Sequence, residues 1–244
     1  MPTIAYQLYC SRNFPPLEDT LAMLAQAGFT AVEGYGGLYE DPERLRARLD
    51  ENGLAMPSGH FALEMVEGDP QKAIAVAQIL GVGKVMVPWV APELRGTDLA
   101  SWRAFAGRVA AALEPVRHAG FTVGWHNHDW DFQDLGGTTP VDLMVEAGLD
   151  LELDLGWVAR SGNDPVEVLR RLRGHVTAVH LKDLAPAGTE AEDGWADVGQ
   201  GTQDWGAIKA ELDAQGIDTW VIEHDNPADH ARFARRSLQA VQGW

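Results

Sequence analysis

The chain of 244 residues has a single cysteine, Cys10, so it can form no internal disulfide and no thiolate-rich zinc site. A reducing compartment, the cytoplasm, is the expectation. Basic residues are also scarce. Lys and Arg number 19 against 36 Asp and Glu, and the formal charge of −17 repels phosphate backbones and anionic lipid surfaces. Nucleic acid and membranes are therefore not expected as partners. No apolar run approaches the roughly 18 residues that mark a bilayer span. The N-terminal MPTIAYQLYCSRNFPP lacks the basic and then apolar segments of a secretory leader. No Gly/Ser linker or low-complexity block divides the chain. What the sequence does have is apolar mass, 45% hydrophobic residues with nine tryptophans. At this length one domain buries roughly three quarters of the surface its unfolded chain exposes, so residues 1–244 are read as a single domain.

Short β-type runs alternate with longer stretches of 3.6-residue periodicity, eight times over, at intervals of about 30 residues. The expected strands are Ile4–Tyr9, Ala31–Gly34, Leu54–His60, Lys84–Val90, Thr122–His128, Leu151–Gly156, Thr177–Lys182 and Trp220–His224. Between them, Trp102, Phe105, Val109, Leu113 and Val116 fall on one helical face, as do Leu17, Leu21 and Leu24, and Trp205, Ile208 and Leu212. Gly28, Gly53, Gly81, Gly120, Gly148, Gly174 and Gly216 each follow a periodic stretch and precede a strand, the usual helix stop. Eight βα units in one α/β domain predict a closed (β/α)8 TIM barrel. An open dinucleotide-binding sheet would need a glycine fingerprint after the first strand, where the sequence reads CSRNFPP.

A barrel keeps its active site at the C-terminal ends of its strands. Those ends carry Gln7, Glu33, His60, Trp89, His126, His128, Asp154, His180, Lys182 and Glu223, a ring rich in metal ligands. In Trp125-His126-Asn127-His128, a period of two turns both imidazoles to one face. Asp154 closes a strand read as apolar, where a buried carboxylate needs a cation or several donors. Glu223 after Trp-Val-Ile repeats that logic. His126, Asp154, His180 and Glu223 are thus the expected ligands of one divalent ion, Mn²⁺, Mg²⁺, Co²⁺ or Zn²⁺, which mixed N/O ligation does not distinguish. Trp89, Trp125 and Trp157 are candidates for stacking on a sugar face or on neighbouring side chains. The glycine-bearing stretch Pro186–Asp204 is long for a βα loop and reads as a lid or subunit contact.

Together GWHNHDWDF (124–132), LELDLGWVARSGNDP (151–165), VTAVHLKDL (176–184), DVGQGTQDW (197–205) and WVIEHDNP (220–227) resemble the xylose isomerase-like TIM barrel superfamily, in particular its sugar phosphate isomerase/epimerase branch. The same superfamily contains endonuclease IV, an activity the charge of −17 argues against. The resemblance implies one divalent cation, with Asp154, His180 and Glu223 in three of the family's four ligand positions. The fourth departs, because His126 stands where many members have a glutamate. The family's ketose 3-epimerases use two ligand glutamates as a pair of acid/base groups, and only Glu223 remains here. The implied reaction is isomerisation or epimerisation of a sugar, sugar phosphate or keto-sugar by proton abstraction α to a carbonyl. A keto-sugar or keto-inositol dehydratase or lyase, or a sugar-binding barrel without catalysis, are the alternatives. Glu223 or His126 is the expected base, with His60 as acid or hydroxyl partner and Lys182 either opposite oxyanion charge or in an ion pair with Asp183. Glu33, Trp89, Asn127, His128 and Trp157 are the expected substrate contacts. A small carbohydrate is the implied partner, and analogy allows a homo-oligomer.

Overall fold

The computed structural model describes all 244 residues, Met1–Trp244. Eight parallel strands close into a barrel in sequence order: β1 (Thr3–Gln7), β2 (Ala31–Tyr35), β3 (Ala55–His60), β4 (Lys84–Val87), β5 (Thr122–His126), β6 (Asp150–Asp154), β7 (Val176–Leu181) and β8 (Thr219–Ile222), with β8 paired back onto β1. The register Thr3↔Thr219 to Tyr6↔Ile222 makes that closure, so the sheet has no free edge. Helices cover the outside and share one core of 59 buried residues with the strands. The predicted stripe of helix Leu99–His118 is the one it buries, Trp102, Phe105, Val109, Leu113 and Val116. Left-handed glycines end helices at Gly28, Gly81 and Gly216, as the sequence spacing anticipates. No helix is long and apolar enough to cross a membrane.

Several strands stop earlier than periodicity suggests, and a side chain is responsible in each informative case. After β1 the Gln7 side chain accepts a hydrogen bond from Tyr9 N at 3.0 Å and turns the chain into a 3₁₀ turn, Leu8–Ser11. β4 ends before Pro88, which cannot donate to the ladder. β6 ends at Asp154, whose Oδ1 accepts from Trp157 N at 2.8 Å and caps helix Leu155–Arg160. β5 ends at His126, so His128 lies beyond the strand, with its ring 5.3 Å from that of His126.

Inside the barrel Ala5, Ala31 and Val221 form a small apolar floor. A period of two puts Gln7, Glu33 and Glu223 one layer above them on the inward face, toward the strands' C-terminal ends. The polar layer is therefore set by strand register.

The stretch expected as a lid is tied down. Asp183–Leu184 pairs antiparallel with Trp195–Ala196, and Trp195 is buried against the barrel mouth.

Candidate metal centre and substrate cavity

Two overlapping groups of metal-ligating side chains occupy the mouth. Asp154, His180 and Glu223 offer ligand atoms within 4.8 Å of one another, and so do His60, His126, Glu152 and His180; all six residues are buried. In the first group Asp154 Oδ2 and His180 Nδ1 are buried without a hydrogen-bond partner, while Glu223 Oε2 is held by the Lys182 ammonium at 2.8 Å. Burying even one such atom unpaired costs on the order of 1–3 kcal/mol, so two orphans converging beside the Glu223 carboxylate call for a cation. His126 Nε2 lies 4.0 Å from Asp154 Oδ2, and His180 Nδ1 lies 3.8 Å from the same oxygen. The chemistry of the set, two carboxylates and two imidazoles, fits a divalent ion.

The second group explains why those nitrogens are free. Glu152 Oε2 receives His60 Nε2 at 2.6 Å, His126 Nδ1 at 3.2 Å and His180 Nε2 at 3.1 Å. His180 Nε2 also reaches Glu33 Oε1 at 2.7 Å, where Gln7 Nε2 donates at 2.7 Å. Burial opposes charge on Glu152, but His180 and His60 outweigh it and hold its carboxyl well below the usual range. An ionised carboxylate only accepts, so each nitrogen facing it carries its proton. The unprotonated lone pair of His126 then resides on Nε2, and Nδ1 of His180 is the nitrogen left to exchange a proton for a cation. Both point toward Asp154. This is the outer-shell carboxylate–histidine arrangement that fixes ligand tautomers in metal sites. Burial pushes His126 down to about 3, which keeps it neutral.

Lys182 is wholly buried behind Glu223. Its Nζ lies 2.8 Å from Glu223 Oε2 and 2.6 Å from Asp225 Oδ2, and sits over the Trp195 and Trp157 rings. Burial would lower its pKa, yet the acids around it raise it, so the ammonium stays charged. Room for its stem comes from Gly156, where a Cβ would stand 2.8 Å from Lys182 Cβ. Above this layer opens a cavity of about 390 Å³, walled by Tyr9, Tyr35, Trp89, His128 and Trp157 and floored by His60, His126 and Glu223. That volume is near the low end of small-molecule pockets, about 300–1,000 Å³. His128 stacks on Trp130 with centroids 4.2 Å apart, which braces that wall.

The model of the xylose isomerase-like TIM barrel family matches residues 21–241. The chain belongs to this family. The rhizopine catabolism protein MocC of Rhizobium meliloti is 24% identical over 91% of this chain and 81% of its own length. A sugar phosphate isomerase/epimerase from Parabacteroides distasonis superposes with a TM-score of 0.83 at 19% identity, covering 99% of this chain and 94% of its own. The IOLI protein, solved with a bound zinc atom, superposes at 0.75 with 14% identity over 100% and 97% of the two chains. At such identities the structural likeness is one of fold.

Of the residues expected from the sequence, the structure groups Asp154, His180 and Glu223, sets His126 Nε2 4.0 Å from Asp154 Oδ2, and places His60, His128, Trp89 and Trp157 at the cavity. Three expected contacts lie elsewhere. Glu33 is fully buried below the cavity, held by Gln7 and His180. Asn127 turns away from it and clamps the Asp154 backbone, accepting from Asp154 N at 2.9 Å and donating to its carbonyl at 3.3 Å. Lys182 does not line the cavity, and its ion partners are Glu223 and Asp225 rather than Asp183. His60 lines the cavity, but its Nε2 is committed to Glu152 and its Nδ1 lies 3.5 Å from the Gln7 amide nitrogen. Two residues escaped the sequence reading, Glu152 and Asp225. Glu152 had a signal: in Leu151-Glu152-Leu153-Asp154 a period of two puts it on the inward face with Asp154, so the strand is not apolar on that side.

Proposed function

We propose that this protein is a divalent-metal-dependent enzyme that isomerises or epimerises a sugar by removing a proton α to a carbonyl. The observation that carries this reading is the convergence of two orphaned buried ligand atoms, Asp154 Oδ2 and His180 Nδ1, on the Glu223 carboxylate, with His126 Nε2 4.0 Å from Asp154 Oδ2, at the floor of an aromatic-walled cavity. Those four atoms would hold the ion. Two imidazoles in the set favour Zn²⁺ or Co²⁺ over Mg²⁺. A bound ion supplies Lewis-acid polarisation of carbonyl and hydroxyl oxygens.

The chain's own groups supply the rest. Glu223 lies at the cavity floor, where its carboxylate can take the substrate proton and return it. Its Oε1 is the oxygen left for the substrate proton. Lys182 acts as a positioning residue, holding Glu223 and Asp225 in place. His128 offers a hydrogen bond to a substrate hydroxyl, while Trp157, Tyr9 and Tyr35 present flat faces to C–H surfaces of a ring.

Glu152 is spent on three imidazoles and Asp225 on Lys182, so no buried carboxylate is left free to pair with Glu223 as a second acid/base group. That observation also suits loss of water from a keto-sugar, the second reading. Incubation of the metal-loaded protein with aldoses, ketoses and keto-polyols in D₂O tests both. Deuterium entering the carbon α to the carbonyl supports the proposal, and an absorbing enone product points to dehydration. Neither signal across the set, from protein shown to hold its metal, would overturn the enzymatic reading.

A further inference from the structure

A TIM barrel that binds a phosphorylated substrate commonly grips the phosphate with the loops after its seventh and eighth strands. The loop after β7 here has the look of such a cradle, Asp197-Val198-Gly199-Gln200-Gly201-Thr202-Gln203. Its amides are already taken, by a carboxylate of the chain itself. Asp183 Oδ2 accepts from Gly199 N at 2.9 Å, Gly201 N at 3.0 Å and Trp205 Nε1 at 2.7 Å, while Oδ1 accepts from Gln203 N at 3.3 Å. Asp183 is fully buried, and a Cβ at Gly201 would collide with its carboxylate. The glycine is thus required by the internal anion.

The loop after β8 is satisfied in the same way. Asn226 N donates to His224 Nδ1 at 3.0 Å, Ala228 N to Glu192 Oε1 at 2.6 Å and Arg232 N to Asp229 Oδ1 at 2.8 Å. No arginine or lysine lines the cavity, whereas Glu64, Glu223 and Asp225 do. The nearby cations are engaged: Lys182 by Glu223 and Asp225, Arg95 by the Val90 carbonyl and the Trp130 ring, and Arg160 by the Asp193 carbonyl and the Trp195 ring. Anions approach against a chain charge of −17.

We infer that the substrate is an uncharged, unphosphorylated sugar or cyclic polyol of single-ring size, because the amides after β7 are held by Asp183 and no arginine or lysine lines the cavity. This rests on the carbohydrate reading above and narrows it, against the phosphorylated substrates named for the branch the sequence resembles.

Calorimetry in two arms tests it. Inorganic phosphate is titrated into EDTA-treated protein, where no cation attracts it, and no saturable binding is expected. Metal-loaded protein is then titrated with aldoses, ketoses and cyclic polyols, each beside its own monophosphate. At least one uncharged member should bind at least tenfold tighter than its phosphate. Saturable phosphate binding in the first arm, or a monophosphate binding as tightly as its parent or tighter, overturns the inference and leaves the carbohydrate reading in place. If neither member of any pair binds while the metal does, the carbohydrate reading fails and this inference falls with it.

Discussion

Replacing Glu152 by Gln tests whether the second layer of the site matters. The carboxylate accepts from three imidazole nitrogens at 2.6–3.2 Å and stands in the second ligand group, outside the set assigned to the ion. All three nitrogens reach the same oxygen, so glutamine can keep its carbonyl there at the same volume; what it removes is the negative charge that holds their protons. A neutral amide no longer fixes the protons on His126 Nδ1 and His180 Nε2, and a tautomer change puts the proton on the very nitrogen that faces Asp154. Loss of an outer-shell partner of this kind typically weakens metal binding about 10- to 100-fold, or about 1.4–2.8 kcal/mol. Competition against a fluorescent chelator at fixed pH reads that change, with circular dichroism confirming that the fold is kept. Glu152→Asp, which keeps the charge, should recover part of the affinity. A folded E152Q protein that binds Zn²⁺ as tightly as the parent would refute the tautomer argument.

Glu223→Gln should lower the rate of α-proton exchange about 10²- to 10⁴-fold, the usual worth of a positioned base, as measured by deuterium incorporation under saturating metal. Removing the ion with EDTA should lower the melting temperature, because a ligand at 100 times its Kd stabilises by about 2.7 kcal/mol; calorimetric scans at graded Zn²⁺ concentrations check the dependence. His224 is buried, and burial pushes it down to about 4, below its unfolded value of about 6.5. Its contribution is therefore fully present above the unfolded pKa and is lost as pH falls from about 6.5 to 4, up to about 3 kcal/mol. Urea unfolding in EDTA at pH 7 and pH 4.5 should show a smaller fall for His224→Asn, whose Oδ1 can still accept from Asn226 N, than for the parent.

The barrel was legible because its signals are local: glycine stops after helices, β-type runs before them and one apolar stripe per helix. Strand ends were less so, since Gln7 and Asp154 turn the chain through side-chain hydrogen bonds that periodicity does not register. Within the site, the residues read correctly as mouth-facing are those that close their strands, His126 and Asp154, or stand just inside or beyond the last paired residue, His180 and Glu223. Glu33 and Glu152 were misjudged because depth within the barrel depends on register between strands, which one segment does not reveal. Asn127 was misplaced because the strand ends one residue before it and frees its amide to hold the Asp154 backbone. Asp183 looked like an ion partner for the adjacent Lys182, but neighbours in a strand point to opposite sides, and Asp183 turns instead to the glycine loop.

The most direct test is a crystal structure of Zn²⁺-loaded protein with anomalous scattering measured at the zinc edge. The account predicts one ion within about 2.0–2.2 Å of His126 Nε2, His180 Nδ1 and the Asp154 and Glu223 carboxylates, with Glu152 outside that shell. An ion ligated by Glu152 or Glu33, or no ion at saturating zinc, would contradict it.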